Sequence, residues 1–404
     1  MIHGDRGEGS DRVLLAGGQI VLPDCVLGPG TLVLEGGRIV EIVPGTAGDH
    51  SKPGHVDCTG LFVLPGFIDV HVHGVEGLDA LDGPHAIAAI AERLPRYGVT
   101  AFCPTSIACT PTALKMMLDA VHASRGSATG ARVLPAHLES NFINPEYCGA
   151  QPLECLRLPS NIRRGDLPFS GAEILDEIRS TQNDVGIMTV APEIEGALPL
   201  IQELVSRGIA VSLGHSAASY DEAREGFAAG ARQATHLFNR MPPLNHRRPG
   251  LAAAVLESED VITEIVCDGV HVHPAMVRLA LSLKGPSRVM VVTDGTAGSG
   301  LARGAQTSIG GRPITVKDAA YLDDGTLAGS ILTMDRAFGK VVTNMNFSLV
   351  DAALACSTTP AHALGLQRTG AIVEGWEADL VLLDGHLEVV ATYVAGELAW
   401  SCAR

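Results

Sequence analysis

The stretch LPGFIDVHVHG, residues 64–74, alternates apolar side chains with two histidines near its end. On a β-strand, residues two positions apart share a face, so His71 and His73 leave one face and the neighbouring valines leave the other. Neutral imidazole is the commonest protein ligand of zinc-like and iron-like ions. A lone His-x-His pair also occurs by chance on solvent faces, but the apolar flanks deliver this pair to the end of a buried strand. The stretch therefore predicts a metal site at the end of a core strand.

Composition narrows the class of protein. The chain has 404 residues, 46% of them hydrophobic, which suits a large α/β barrel with a smaller appended domain. Lysine and arginine number 29 against 45 aspartates and glutamates, and the net charge of −16 argues against nucleic acid or a membrane as partner. Nine cysteines without a Cys-x-x-Cys pair, and no apolar run long enough for a signal or a membrane span, predict a cytoplasmic protein.

The two ends of the chain share one sequence pattern. Short β-like runs punctuated by glycine, proline and aspartate occur before residue 62 and again after residue 365. They predict a small antiparallel sheet, and we assign residues 1–62 and 365–404 to one small β-sandwich domain. Residues 63–364 are then a separate domain inserted between its two halves.

Strand and helix candidates alternate throughout the central segment. Eight βα units can be counted, the number that closes a (β/α)8 TIM-like barrel. Helix candidates lie at 84–97, 112–124, 171–181, 197–207, 220–229, 273–283 and 333–343. Beside the strand that carries His71, the strand candidates are 100–103, 132–139, 185–190, 209–215, 233–236, 261–266 and 288–294.

Polar residues that could hold a metal fall at the ends of these strands. All carboxyl ends of the strands open onto one face of a barrel, so these side chains should meet at its mouth. Any one of them could be a hydrogen-bonded core histidine or a helix cap, but several such coincidences together favour a site for one or two ions. The residues are His71, His73, Glu139, His215, His236 and Asp294.

A hydrolytic reaction fits such a site. A metal lowers the pKa of water, and a carboxylate beside that water, such as Asp294, can take its proton and pass it to a leaving nitrogen. The sequence contains no Gly-x-Ser-x-Gly motif that would offer a serine nucleophile instead.

Several long motifs carry a family resemblance. The sequence resembles the amidohydrolase superfamily and, within it, the N-acetylglucosamine-6-phosphate deacetylases, over essentially its whole length. Besides residues 65–74, the motifs are HLESNFINPEYCGAQP at 137–152, LGHSAASYDEA at 213–223, THLFNRMPPLNHRRPG at 235–250, DGVHVHP at 268–274, VTDGTAGSG at 292–300 and GTLAGSILTMDRA at 325–337.

The resemblance implies how the metal is held. Glu139, His215 and His236 would bind the catalytic divalent ion, and His71 with His73 would hold a second ion that shares Glu139. Some family members replace the His-x-His pair and use one ion, whereas this chain keeps it. Zinc, iron, manganese and cobalt all remain candidates.

The resemblance also implies a substrate and a partner. His271 would bind sugar hydroxyls, Asn239 and the backbone amide of Arg240 would bind a phosphate, and Arg247 would reach that phosphate from the other subunit of a homodimer. A guanidinium suits phosphate because it forms paired charge-assisted hydrogen bonds. Without the resemblance, HRR at 246–248 reads equally well as a solvated loop.

Two positions depart from the family pattern. Ser140-Asn141 stands where the family has Gly-Pro, and Gln151 stands where a histidine would polarise the scissile carbonyl. An amide can donate a hydrogen bond there but cannot become a cation. The predicted reaction is hydrolysis of N-acetylglucosamine 6-phosphate to glucosamine 6-phosphate and acetate. The alternatives are an amidohydrolase for another N-acyl or cyclic amide and, more remotely, a non-catalytic barrel, which predicts scattered loss of metal residues that is not seen.

Overall fold

A barrel of parallel strands forms the centre of the molecule. The computed structural model describes residues 12–46, 54–127, 129–160 and 167–402. Each predicted strand segment contains a strand, and each strand pairs in parallel with its neighbour. Their bounds are Phe67–Val72, Val99–Ser106, Arg132–Val133 with Ala136–Glu139, Val185–Val190, Ala210–Leu213, Gln233–Ala234, Ile262–Val266 and Val289–Val292.

The third barrel strand is divided at Pro135. Arg132–Val133 pairs with the second strand, and the ladder resumes only at Ala136–Glu139. A proline lacks the N–H that a central strand donates to its neighbour, which accounts for the break. Glu139 is the last residue of the second part of this strand and lies at the mouth of the barrel.

The ring closes between the eighth strand and the first. The backbone N–H of Asp294 donates to the carbonyl of His71 at 2.9 Å, and the N–H of His73 donates to Gly295 at 2.8 Å. Because these bonds lie just past the end of Val289–Val292, closure itself brings Asp294 beside the His-x-His pair.

The helices wrap the barrel on the outside. Their bounds are Ala86–Arg93, Pro111–Ser124, Gly171–Ser180, Ala197–Ser206, Tyr220–Ala228, Gly250–Glu257, Pro274–Lys284, Met334–Thr343, Leu349–Ala353 and Thr359–Ala363. Gly250–Glu257 was not among the predicted helices, because the segment GLAAAVLE is apolar on nearly every side and shows no helical alternation. Among the described residues, no helix combines the length and apolarity needed to cross a membrane.

Both ends of the chain build one further sheet, as predicted. The sheet is mixed rather than purely antiparallel, because Val13–Val21 runs parallel to His55–Asp57 and to Phe62–Pro65. The turn at Gly37 lies against Ala395, and both ends of the chain contribute side chains to one hydrophobic core. The boundaries at 62 and 365 stay a prediction, and residues 1–11 and 47–53 of the first segment and 403–404 of the second lie outside the described residues. The other strands are Val26–Glu35, Arg38–Pro44, Leu380–Leu383, Val389–Val394 and Glu397–Ser401.

A small antiparallel sheet that was not predicted follows the eighth barrel strand. It comprises Gln306–Ile309, Arg312–Val316 and Ala320–Tyr321. Its apolar side chains form a separate small core with Ile107, from the loop after the second barrel strand. Arg312 also donates to the carbonyl of Ala150, so this sheet is fastened to the loop that follows Glu139. The sheet therefore forms one wall of the barrel mouth.

Candidate active site

The structure brings Glu139, His215 and His236 together in what we term the first donor group. The Nε2 atoms of His215 and His236 lie 2.7 and 2.8 Å from Oε1 of Glu139. The two Nε2 atoms are themselves 3.0 Å apart. All three side chains are buried, with at most 4% of their surface exposed. Three strands far apart in sequence thus aim one carboxylate and two imidazoles at one point.

His71 and His73 form the second donor group with the same Glu139. Their Nε2 atoms are 3.3 Å apart, and Nε2 of His73 lies 3.5 Å from Oε2 of Glu139. Oδ1 of Asp294 lies 3.5 Å from Nε2 of His71 and 3.4 Å from Nε2 of His73. Asp294 therefore stands beside both imidazoles at the mouth, as the sequence predicts.

The outer nitrogens of His215 and His73 are already engaged. Nδ1 of His215 lies 2.8 Å from the carbonyl of Tyr147, and Nδ1 of His73 lies 3.2 Å from the carbonyl of Thr105. A carbonyl can only accept, so each Nδ1 carries a hydrogen, and in the neutral ring Nε2 is the nitrogen whose lone pair can bind a metal. Lone pairs that converge in this way around a carboxylate fit a divalent transition metal.

Three of these residues adopt a left-handed backbone. The φ angles are +48° at His215, +31° at His236 and +49° at Asp294. Such a conformation costs a residue other than glycine about 1–3 kcal/mol and concentrates at functional sites. Each of the three directly follows or closely follows the end of a barrel strand, where the sharp turn directs its side chain inward. The fold thus accepts backbone strain at the places where the site is built.

The electrostatics of the site favour ionised carboxylates. Burial alone raises the pKa of Asp294, but the imidazoles of His73 and His71 outweigh it and lower the pKa to about 2. Burial also opposes ionisation of Glu139, and contacts with His215 and His236 bring the pKa of Glu139 well below its usual range. Both groups are therefore anions at neutral pH.

The cavity at the mouth is lined by donor residues together with most of the predicted substrate residues. Gln151, Asn239, Arg240 and His271 all border it. Nδ1 of His271 lies 2.6 Å from Oδ2 of Asp268, which fixes the ring. Arg247 is exposed and is not among the residues that line this cavity. Within one chain, the structure therefore brings together all predicted site residues except Arg247.

Comparison with known proteins identifies the family to which this chain belongs. A model of the amidohydrolase family matches residues 62–399. The chain belongs to the amidohydrolase family. The resemblance seen in the sequence motifs is thereby confirmed, and the protein is a hydrolytic enzyme of a family that generally depends on divalent metals.

The similar proteins within the amidohydrolase family carry one name, N-acetylglucosamine-6-phosphate deacetylase. The chain is 36% identical to the protein of Rattus norvegicus over 359 residues, 85% of each chain. It is 35% identical to that of Bacillus subtilis over 349 residues, 84% of each. For the protein of Homo sapiens, 33% identity over 426 residues covers 99% of this chain and 98% of the other.

Solved structures of similar proteins superimpose on nearly the whole of this chain. A mutant deacetylase of Mycobacterium smegmatis, in complex with N-acetyl-D-glucosamine-6-phosphate, superimposes with a TM-score of 0.87 at 30% identity, covering 97% of this chain and 100% of that one. The deacetylase of Thermotoga maritima gives a TM-score of 0.83 at 32% identity, covering 96% and 100%. The predicted barrel with a small β domain is confirmed.

The two departures from the family pattern are built into this amidohydrolase. Nδ2 of Asn141 donates to the carbonyls of Cys109 and Cys155, both at 2.7 Å, and Ser140 donates to the carbonyl of Thr189 at 2.5 Å. These bonds tie the loop after Glu139 to the barrel. The Ser-Asn pair therefore has a structural role that its polar side chains make possible.

Gln151 is held at both ends of its amide. Its Oε1 accepts from the backbone N–H of Ala108 at 2.6 Å, and its Nε2 donates to Oε2 of Glu139. The NH2 end, with a second hydrogen, thus faces the site, where a carbonyl would be polarised. The predicted role of Gln151 in substrate binding stays a prediction.

Replacing Gln151 by alanine should lower turnover about tenfold or more with little loss of bound ion, since Glu139 keeps His215 and His236 as neighbours. Gln151→His, which restores the family residue, should be tolerated or beneficial. Steady-state rates and the ion content of the same preparations decide this. Parallel loss of ion and turnover in Gln151→Ala would instead show that the amide supports Glu139 and not the substrate.

Two buried carboxylates near the site were not predicted. Asp69 accepts from the Thr293 hydroxyl at 2.5 Å, and Oε2 of Glu264 lies 2.8 Å from Nδ1 of His71. Both side chains are completely buried. An acidic residue inside an apolar run, as in 67–72 and 262–266, is a signal that was available in the sequence, because buried carboxylates require partners.

Proposed function

We infer that this amidohydrolase hydrolyses N-acetylglucosamine 6-phosphate to glucosamine 6-phosphate and acetate. The observation that carries the inference is the arrangement of both donor groups around Glu139 with Asp294 beside them. The names of the relatives, and the sugar phosphate bound to the similar Mycobacterium smegmatis protein, support this substrate.

The first donor group would hold one divalent ion and the second donor group another, with zinc, iron, manganese and cobalt all suited to nitrogen and carboxylate donors. When bound, such an ion lowers the pKa of water and stabilises negative charge on oxygen. The convergent Nε2 atoms, 3.0 Å and 3.3 Å apart in the two groups, support this assignment.

Asp294 carries the proton in this proposal. Water adds to the acetamide carbon, the carbon–nitrogen bond breaks, and the products are acetate and the free amine. The carboxylate accepts a proton from the water and then gives it to the leaving nitrogen, a role typically worth about 10²–10⁴-fold in rate. Asp294 is ionised at neutral pH, so its carboxylate has an oxygen that can accept the proton. Gln151 donates a hydrogen bond to the acetyl carbonyl.

The sugar lies across the cavity in this proposal, with its hydroxyls on His271 and its phosphate on Asn239 and the backbone amide of Arg240. Arg240 has a left-handed backbone, φ +51°, in the turn that follows His236. Arg247 completes the phosphate site from the second subunit of a homodimer. Its exposure supports that assignment, because the side chain is free to reach outward. We place the enzyme in the cytoplasm, which suits its nine free cysteines.

Replacing Arg247 by alanine should raise the KM for N-acetylglucosamine 6-phosphate about 10- to 100-fold, because one charge-assisted contact is worth about 1.5–3 kcal/mol. Slow turnover of unphosphorylated N-acetylglucosamine should barely change, since both sugars carry the same acetamide. Arg248→Ala is the matched control, because both backbone amides bond to Oδ1 of Asn245, at 2.9 and 3.2 Å, and both side chains are exposed. Equal damage to both substrates would contradict the phosphate assignment.

The activity itself is tested by acetate release from a panel of N-acetyl sugars and their 6-phosphates, with zinc or cobalt supplied. We expect N-acetylglucosamine 6-phosphate to be turned over fastest. If none of the panel releases acetate, the substrate lies among other N-acyl or cyclic amides. The glutamine at position 151, where the family has a histidine, would then be the leading explanation for the changed substrate preference.

A further inference from the structure

We propose that Glu264 is a positioning residue that makes His71 a ligand of the second divalent ion. The inference rests on the second donor group of the proposed function and deepens it. Glu264 lies in the strand Ile262–Val266, and its carboxylate points into the barrel directly behind the His-x-His pair.

The geometry fixes which nitrogen of His71 faces the site. Oε2 of Glu264 lies 2.8 Å from Nδ1 of His71, and an ionised carboxylate can only accept. Nδ1 therefore holds the hydrogen, and Nε2 is left to face His73 at 3.3 Å. A carboxylate behind a ligating imidazole both orients the ring and makes it a stronger donor.

Glu264 has no lysine or arginine partner among the described residues. Among the described residues its ion-pair neighbours are His71 and His137 only, and Oε1 makes no hydrogen bond. Nδ1 of His137 is 3.6 Å from that oxygen and donates to the carbonyl of Val70 at 3.0 Å instead. A buried carboxylate is costly without a compensating positive charge, and an ion bound on the far side of His71 would supply that charge while the ring itself stays neutral.

The same carboxylate also reaches the first donor group, but more weakly. Oε2 of Glu264 accepts the backbone N–H of His236 at 3.2 Å, and within the described part of the chain no hydrogen bond or ion pair joins Glu264 to a side chain of that group. Glu264 thus contacts a ring of the second donor group and only the backbone of the first. Removal of its charge should therefore affect the two ions unequally.

The test is a Co²⁺ titration of the metal-free, full-length chain, with ion content measured after competition by graded chelator. Glu264→Gln keeps the shape and an acceptor oxygen but removes the charge. We expect wild type to take up two ions, and the variant to hold the first normally while the second dissociates about 10- to 100-fold more readily. Glu193→Gln is the control, because Glu193 accepts from Asn144, Ser216 and the backbone of Ala217, and no hydrogen bond or ion pair of the described residues joins it to a donor side chain.

A second pair of variants links the effect to His71. His71→Asn should leave one ion, and adding Glu264→Gln to it should change the ion content no further. Unchanged affinity for both ions in Glu264→Gln, or equal weakening of both, would overturn the proposal.

Wild-type protein gives an independent measurement should a variant fail to fold. In the zinc-loaded protein, the short Nδ1–H bond of His71 to Glu264 should give a strongly deshielded ring proton in the NMR spectrum, absent from His71→Asn. Its absence from wild type would overturn the proposal. Uptake of a single ion by the wild-type protein would also overturn it. Acetate release tests the proposed deacetylase function separately from these measurements.

Discussion

Glu139→Gln should lose its bound ions and nearly all turnover while the barrel stays folded. Glu139 is the residue common to both donor groups, with His215 and His236 at 2.7 and 2.8 Å from one oxygen and His73 at 3.5 Å from the other. An amide offers a neutral oxygen and an N–H in place of two charged acceptors. Since even an outer partner of a ligand is worth about 10- to 100-fold in metal affinity, loss of a shared ligand should exceed that.

Ion content by mass spectrometry, acetate release and thermal unfolding of the metal-free protein should be measured together. Glu146→Gln is the matched control, because Glu146 lies exposed on the loop that follows Glu139. We expect that control to keep both ions and full activity. A Glu139→Gln protein that retained metal and turnover would refute the site assignment.

Asp294→Asn should separate chemistry from metal binding. Asparagine cannot accept and return a proton, so turnover should fall by about 10²–10⁴-fold. The donor groups remain, because Asp294 approaches His71 and His73 only at 3.5 and 3.4 Å. The backbone should survive as well, since asparagine tolerates the left-handed conformation that Asp294 adopts at φ +49°.

The measurement is kcat and KM for N-acetylglucosamine 6-phosphate beside the ion content of the same sample. The loss should fall on kcat. Near-normal turnover would mean that Asp294 has only a structural role, such as the helix cap that Asp-Gly-Thr can form. The structure favours the catalytic role, because the first helix after this residue among those described begins at Met334.

The sequence by itself determined the barrel and predicted the candidate site residues that the folded chain brings together. Apolar runs alternating with helical patterns are local signals, and eight of them specify the closed ring. His71, Glu139, His215, His236 and Asp294 could be found because each ends such a run, and all carboxyl strand ends of a barrel share one face. Residue type and position along the strand were therefore enough to predict the barrel and these candidate site residues.

Contacts between distant parts of the chain decided which buried groups pair with one another and how the additional sheets form. The Glu264 carboxylate meets His71 across 193 positions, and the hydroxyl of Thr293 meets Asp69 across 224, so neither pairing leaves a local pattern. The parallel pairing of Val13–Val21 with Phe62–Pro65 and the sheet at 306–321 likewise depend on which surfaces the folded barrel offers. Periodicity shows which face of a strand is buried. Only the closed barrel shows which buried groups lie opposite one another, because that depends on register and on the return of the chain.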